Sequence, residues 1–168
     1  EWTVLHGVVE TPRGDWRGPA RITPRAVKRI GALVQRMERL SVKVPDRVLL
    51  RLLLHRYHAV CMAVLPLVRS QDLLKQVARK RRNDTHLINT MAVRMLALGS
   101  APRAARAVRW ALNDPDEQWH VLEALERFKV PQLAGDVGAL IAGHKADVQV
   151  KVKACAVLGT MQSSPRPL

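Results

Sequence analysis

Residues 84–116 read DTHLINTMAVRMLALGSAPRAARAVRWALNDPD, and this stretch decides the fold. Asp84 or Thr85 offers a side-chain oxygen that can cap a helix. Apolar residues then recur at helical spacing as far as Leu98, and Gly99 supplies the stop. Ser100-Ala-Pro102 restarts the chain, with a proline suited to a first helical turn. A second helix is expected over 103–112, and Asn113-Asp-Pro-Asp116 is a turn. The unit is a pair of helices joined by a short connection.

Its closing phrase recurs. MERLSVKVPD at 37–46, QVARKRRND at 76–84 and RWALNDPD at 109–116 each end a helical segment. The aspartates that open the segments after these, Asp46, Asp84, Asp116 and Asp147, lie 38, 32 and 31 residues apart. A period of this length is that of helix pairs stacked in an array. The expected fold is therefore all-α, a right-handed α-solenoid of about four antiparallel helix pairs. Arrays bind long partners along a surface and seldom carry chemistry themselves.

Outward from this unit, the remaining helices obey the same signals. Thr23 caps and Pro24 begins a helix carrying Ala26, Val27, Ile30, Leu33, Val34, Met37 and Leu40 along one side. A second helix is expected over 47–60, apolar nearly all round and so central. Pro66 ends or kinks the segment after it. Further helices are expected over 71–80, 117–128, 132–142 and 147–161, with Gly143 as a terminator. Residues 1–22 form an extended N-terminal segment with room for a short strand in 1–10. Residues 23–162 form one helical-repeat domain, and 163–168 a tail.

Composition narrows the partners. The chain has 168 residues, 48% of them hydrophobic but only 4% aromatic, so its core is aliphatic, which suits packed helices and argues against a β-sandwich. Its 28 Lys and Arg against 14 acids give a net charge of +14. Such a balance favours a polyanion, nucleic acid before an anionic membrane surface. The charge is uneven: residues 1–84 hold 18 bases and 7 acids (net +11), residues 85–168 hold 10 and 7 (net +3). The N-terminal half is the half expected to touch the polyanion.

Two cationic features stand out there. At ~100° per residue, Arg25, Lys28, Arg29, Arg36 and Arg39 fall in one stripe opposite the apolar side of their helix. Charged stripes are commonly just solvated, but solvated faces mix signs, and the nearby acid Glu38 lies off this one. The second feature is Arg79-Lys80-Arg81-Arg82. Cations at a helix C-terminus suit the helix dipole, yet four in a row exceed what a cap needs. These nine residues are the candidate RNA-binding set, through contacts with phosphates.

Sites for chemistry are not evident. The sequence holds no nucleophile elbow, P-loop or dinucleotide fingerprint, and Gly135-Asp-Val-Gly138 lacks the strand a phosphate loop requires. His55 and His58 are three apart, but no carboxylate or third ligand is near, so no metal site and no cofactor are expected. Trp110 and Trp119 could stack on bases; core positions are the expectation at helical spacing. An enzyme would need a buried acid–base pair, and none shows. Cys61 and Cys155 sit in apolar helical runs and are expected to be buried free thiols in a reducing compartment. The longest apolar run, 59–68, is too short to span a membrane and contains Pro66. An arginine-rich, acid-poor chain that begins at Glu1 fits an imported organellar protein.

Residues 84–116 resemble a pentatricopeptide repeat, through Asn89, Gly99 ten residues later, the small Ala104 and the closing Pro115-Asp116. Residues 37–46 look like the close of an earlier repeat. Residues 114–160 are more similar to HEAT repeats, with Asp-Pro-Asp opening one helix and DVQVKVKACAVLG, 147–159, echoing that family's first helix. Both families are α-solenoids. The first resemblance implies binding of single-stranded RNA in organelles, with bases read by the fifth residue of a repeat's first helix and by its last residue. Asn89 fits the first role, and Asp114 or Asp116 the second; Arg51 stands near the equivalent place in the preceding repeat. One conforming repeat cannot operate a base code, so recognition of phosphate and RNA shape is expected. A short, basic, degenerate member looks like the structural proteins of mitochondrial ribosomes. The resemblance thus implies a non-catalytic RNA-associated component of a mitochondrial matrix assembly, with rRNA and neighbouring proteins as partners. A protein–protein adaptor or accessory subunit is the alternative.

Overall fold

The structure, a computed structural model, describes residues 24–144 and 146–162. The expected N-terminal segment with its strand, the Thr23 cap and the tail lie outside the described residues. Among those described, nine α-helices and two 3-10 turns form, and no strand. The chain divides into two compact units, Glu1–Val68 and Arg69–Leu168, with the boundary falling within the stretch 23–162 that the sequence presents as one helical-repeat domain.

In the first unit, α1 (Pro24–Arg39) buries Ile30, Val34 and Met37. It packs on α3 (His58–Val64) and on the 3-10 turn Leu65–Leu67. The end of α1 is a Schellman turn: Val42 N–H donates to Met37 O at 2.9 Å and Ser41 N–H to Glu38 O at 3.0 Å. Ser41 occupies the left-handed position at φ 51, where glycine is the common choice.

The helix expected over 47–60 is interrupted. α2 (Asp46–Leu53) stops, and α3 starts at His58. The intervening turn has its own satisfied groups: His55 N–H donates to Leu52 O at 3.1 Å, and Tyr57 N–H to His55 Nδ1 at 3.3 Å. The Cys61 thiol lies 3.2 Å from both Leu53 O and His55 O, so carbonyls at the end of α2 find a donor outside a continuous helix. Leu49, Leu52 and Leu53 are buried, as a central segment requires. Each such leucine contributes about 1.5–3 kcal/mol of transfer free energy.

The second unit holds α4 (Gln71–Lys80), α5 (Thr85–Ala97), α6 (Pro102–Leu112), α7 (Gln118–Phe128), α8 (Ala134–Ala142) and α9 (Val148–Gln162). These bounds lie within two residues of those expected from sequence, because the punctuation is local. Ser70 Oγ accepts from Leu73 N–H, and the Asp84 carboxylate from Leu87 N–H at 3.2 Å. Gly99 takes φ 140, which L side chains rarely adopt, and so ends α5. Pro131 turns the chain through a 3-10 segment before α8.

Packing in this unit is regular. α5 packs on both α6 and α7, α7 on α9, and α6 on both α7 and α8. Glutamines join elements at their carbonyl ends: Gln71 Nε2 donates to Met95 O at 3.2 Å, and the buried Gln118 Nε2 to Leu112 O at 3.0 Å. The last described helix, α9, buries Ala154, Val157 and Met161, while Val148, Val152, Cys155 and Ala156 face outward. Cys155 is therefore exposed, not buried as expected; Cys61 is buried. An apolar run predicts burial only where a neighbour exists to cover it, and α9 has one covered side. Among the described residues no helix is long and apolar enough to cross a membrane.

Candidate nucleic-acid interface

The α1 stripe forms as the wheel implies. Arg25, Lys28, Arg29, Arg36 and Arg39 are all exposed, on the side away from Ile30, Val34 and Met37. Among the described residues no acid pairs with Arg25, Lys28, Arg29 or Arg39. The reason is geometric: with a 3.6-residue turn, a core at 30, 34 and 37 leaves 25, 28, 29, 36 and 39 on the opposite arc.

The Arg79–Arg82 run lies in the second unit. Arg79 and Lys80 end α4, where the helix dipole favours cations, and Arg81 is the C-cap residue. Arg82 Nε donates to Arg79 O at 3.3 Å, which folds the run back on itself. All four line an open cleft of about 710 Å³, together with residues 83–86 at the start of α5 and with Glu117. Two other cations of this unit join helices. Arg109 Nε donates to both oxygens of Asp136 at 3.1 Å, tying α6 to α8. Lys153 pairs with Glu126, tying α9 to α7. Arg79, Lys80 and Arg82 have no such acid among the described residues.

Glu117 is the residue that sequence reasoning missed. It is only 6% exposed. Its Oε2 accepts from Asn89 Nδ2 at 2.9 Å and lies 3.1 Å from His86 Nδ1. The His86 ring in turn stands against the His120 ring, centroids 3.9 Å apart. This cluster of a buried carboxylate, a buried amide and a half-exposed imidazole is not displayed by the sequence. Its members come from positions 86, 89 and 117, too far apart for any spacing rule. An acid beside a helix start reads as an ordinary dipole partner, so no local signal marks it.

The same contacts correct a role that the resemblance implies. Asn89 is 5% exposed and its amide is committed to Glu117, so it is not presented to a base. Asp114 Oδ1 accepts from Asp116 N–H at 3.1 Å, a turn contact, while Asp116 and Arg51 are exposed. The tryptophans also differ from expectation. Trp110 is 65% and Trp119 39% exposed, so neither belongs to the core. In α6 the covered residues are Ala104, Val108, Ala111 and Leu112, and position 110 points elsewhere. The Lys153 ammonium lies 5.7 Å from the Trp119 ring centre. His55 and His58 join no metal-ligand group; among the described residues no cluster of three or more His, Cys, Asp or Glu could hold a metal ion. Gly135 and Gly138 lie in α8, not in a phosphate loop.

Compared with known proteins, the chain matches no family model, no curated protein and no solved structure at a significant level.

Proposed function

We propose that this chain is a non-catalytic, RNA-associated α-solenoid: a structural component of a mitochondrial ribonucleoprotein assembly, with the mitochondrial ribosome the assembly that fits best. The observation that carries the RNA reading is the five-cation stripe on α1, exposed opposite a buried apolar face and, Arg36 aside, unpaired with acids among the described residues. The Arg79–Arg82 run and its cleft support it. A polyanion with regularly spaced phosphates is the ligand such an arrangement suits. The solenoid reading, right-handed with antiparallel helix pairs, is supported by the packing of α5 on α7, α7 on α9 and α6 on α8, in which each helix meets the one two places on. Recognition is through phosphate and RNA shape rather than a base code, since Asn89 is committed to Glu117. The mitochondrial and ribosomal parts of the proposal rest on the repeat resemblance.

The test is a filter-binding titration of the full chain with single-stranded RNA at several salt concentrations. Counterion release demands that affinity fall linearly in log–log form. A flat response sinks the proposal. Crosslinking the native protein and identifying the attached nucleic acid then names the RNA.

A second reading, a protein–protein adaptor, has one observation of its own. Val148 and Val152 are exposed on one side of α9, a surface that suits a protein neighbour. It predicts that nuclease treatment leaves the native complex intact, whereas the RNA reading predicts that it comes apart.

A further inference from the structure

The cleft at the start of α5 contains a group that a pure phosphate site has no use for. Arg79, Lys80, Arg81 and Arg82 line it, and so do two acids, Asp84, which caps α5, and Glu117. One oxygen of the Glu117 carboxylate, Oε2, is already occupied by the Asn89 amide and the His86 ring. The other, Oε1, has no partner among the described residues. Yet no buried side-chain nitrogen or oxygen there lacks one. Oε1 therefore keeps access to solvent, and Glu117 is one of the residues that line the cleft. A buried side chain, held by the Asn89 amide and in contact with the His86 ring, thus leaves one carboxylate oxygen accessible beside a space lined by Arg79–Arg82.

A phosphate there is attracted by the four cations and repelled by Oε1, so the fitting ligand is an anion that also presents a hydrogen-bond donor. The RNA backbone offers that combination in every nucleotide: the ribose 2′-hydroxyl is a donor held a fixed, short distance from phosphate. Deoxyribose has no such group. Every base edge also carries an N–H donor, but RNA and DNA strands of one sequence share it, and its distance from phosphate varies with the base and the glycosidic angle. We infer that this cleft recognises a ribonucleotide unit of single-stranded RNA, with phosphate on Arg79–Arg82 and the ribose 2′-hydroxyl donating to Glu117 Oε1. The inference rests on the RNA-binding reading above and gives it a means of telling RNA from DNA.

The test compares four oligomers of equal length and charge on the full chain: oligo(U) RNA, its deoxy counterpart, its 2′-O-methyl counterpart, and oligo(C) RNA. Equal charge cancels the phosphate contribution. A charge-assisted hydrogen bond predicts that oligo(U) RNA binds about tenfold more tightly than the deoxy and 2′-O-methyl forms. In Glu117→Gln, the Asn89 amide keeps the new amide oxygen at the Oε2 place, so the NH2 takes the place of Oε1. A donor then replaces an acceptor, and the preference for 2′-hydroxyl over 2′-O-methyl falls to about one. Arg82→Ala weakens all four oligomers alike and keeps the ratio. Equal binding of the three oligo(U) forms, with a normal salt slope, overturns this inference and leaves the phosphate reading standing. A preference for oligo(C) over oligo(U) that ignores the sugar means Glu117 reads a base edge and overturns it too. Absence of salt-dependent binding to every oligomer sinks the RNA reading and this inference with it. The sugar comparison is made on the unaltered protein, so a misfolded Glu117 variant does not blunt it.

Discussion

Asn89 Nδ2 donates to Glu117 Oε2 at 2.9 Å, joining α5 to the start of α7 across 28 residues of chain. Both side chains are buried, so each would be costly without the other. Asn89→Ala is expected to lower stability by about 1–3 kcal/mol, read as a lower urea midpoint with an unchanged slope. Asn89→Asp should cost more, because it sets a second carboxylate against the first. A midpoint equal to that of the unaltered protein in both variants would show that the contact contributes nothing.

Replacing Arg25, Lys28, Arg29, Arg36 and Arg39 together by alanine should flatten the salt dependence of RNA binding. Five lost phosphate contacts at ~0.7 each predict a slope smaller in magnitude by roughly 3.5. Stability should hardly move, since the stripe is exposed and alanine is a strong helix former. An unchanged slope would place the RNA elsewhere on the chain.

Asp84 caps α5 and also lines the cationic cleft. Asp84→Ala removes the acceptor for Leu87 N–H, which costs about 1 kcal/mol. It also removes a negative charge beside Arg79–Arg82. Thermal stability should therefore fall while RNA affinity rises. Movement of the two in the same direction would contradict the placement of the phosphate in this cleft.

The two thiols should separate cleanly. Cys155 is exposed and Cys61 buried against the end of α2. A thiol-specific reagent should modify one cysteine per native chain, at Cys155, and two after denaturation. Rapid native labelling of Cys61 would mean that the α2–α3 junction opens readily.

Asp72 accepts a hydrogen bond from Lys75 Nζ at 2.8 Å. That hydrogen bond, with the charge of Lys75, holds its carboxyl below the ordinary value of 3.8. A depressed folded-state value means the pair's small stabilisation is complete above pH 3.8 and is lost as pH falls through the folded value. In an NMR titration Asp72 should have a midpoint below 3.8, and Lys75→Ala should return it upward.

Much of the helix inventory was legible because its signals are local. Asp84, Gly99, Pro102 and Pro131 mark boundaries through their own backbones or through neighbours three residues away. The α1 stripe was legible for the same reason, since one helix's periodicity sets both its faces. The break at Leu54–Tyr57 was not, because nothing in a run of leucines announces that a thiol at Cys61 will lie beside the carbonyls of Leu53 and His55. Trp110, Trp119 and Cys155 were misplaced for a related reason. Hydrophobicity states that a side chain gains from cover, not that a neighbour is present to give it.

The sequence by itself determined that this chain is helical, where most helices begin and end, and that α1 opposes a cationic face to an apolar one. Those properties depend on backbone conformation and on periodicity within a few turns. Only the tertiary structure decided that Glu117 is buried, that it is bound to Asn89 and His86, and that it shares a cleft with Arg79–Arg82. Each of those contacts joins residues about 30 or more positions apart. Such meetings are set by how helices pack on one another, which no single stretch of the chain encodes.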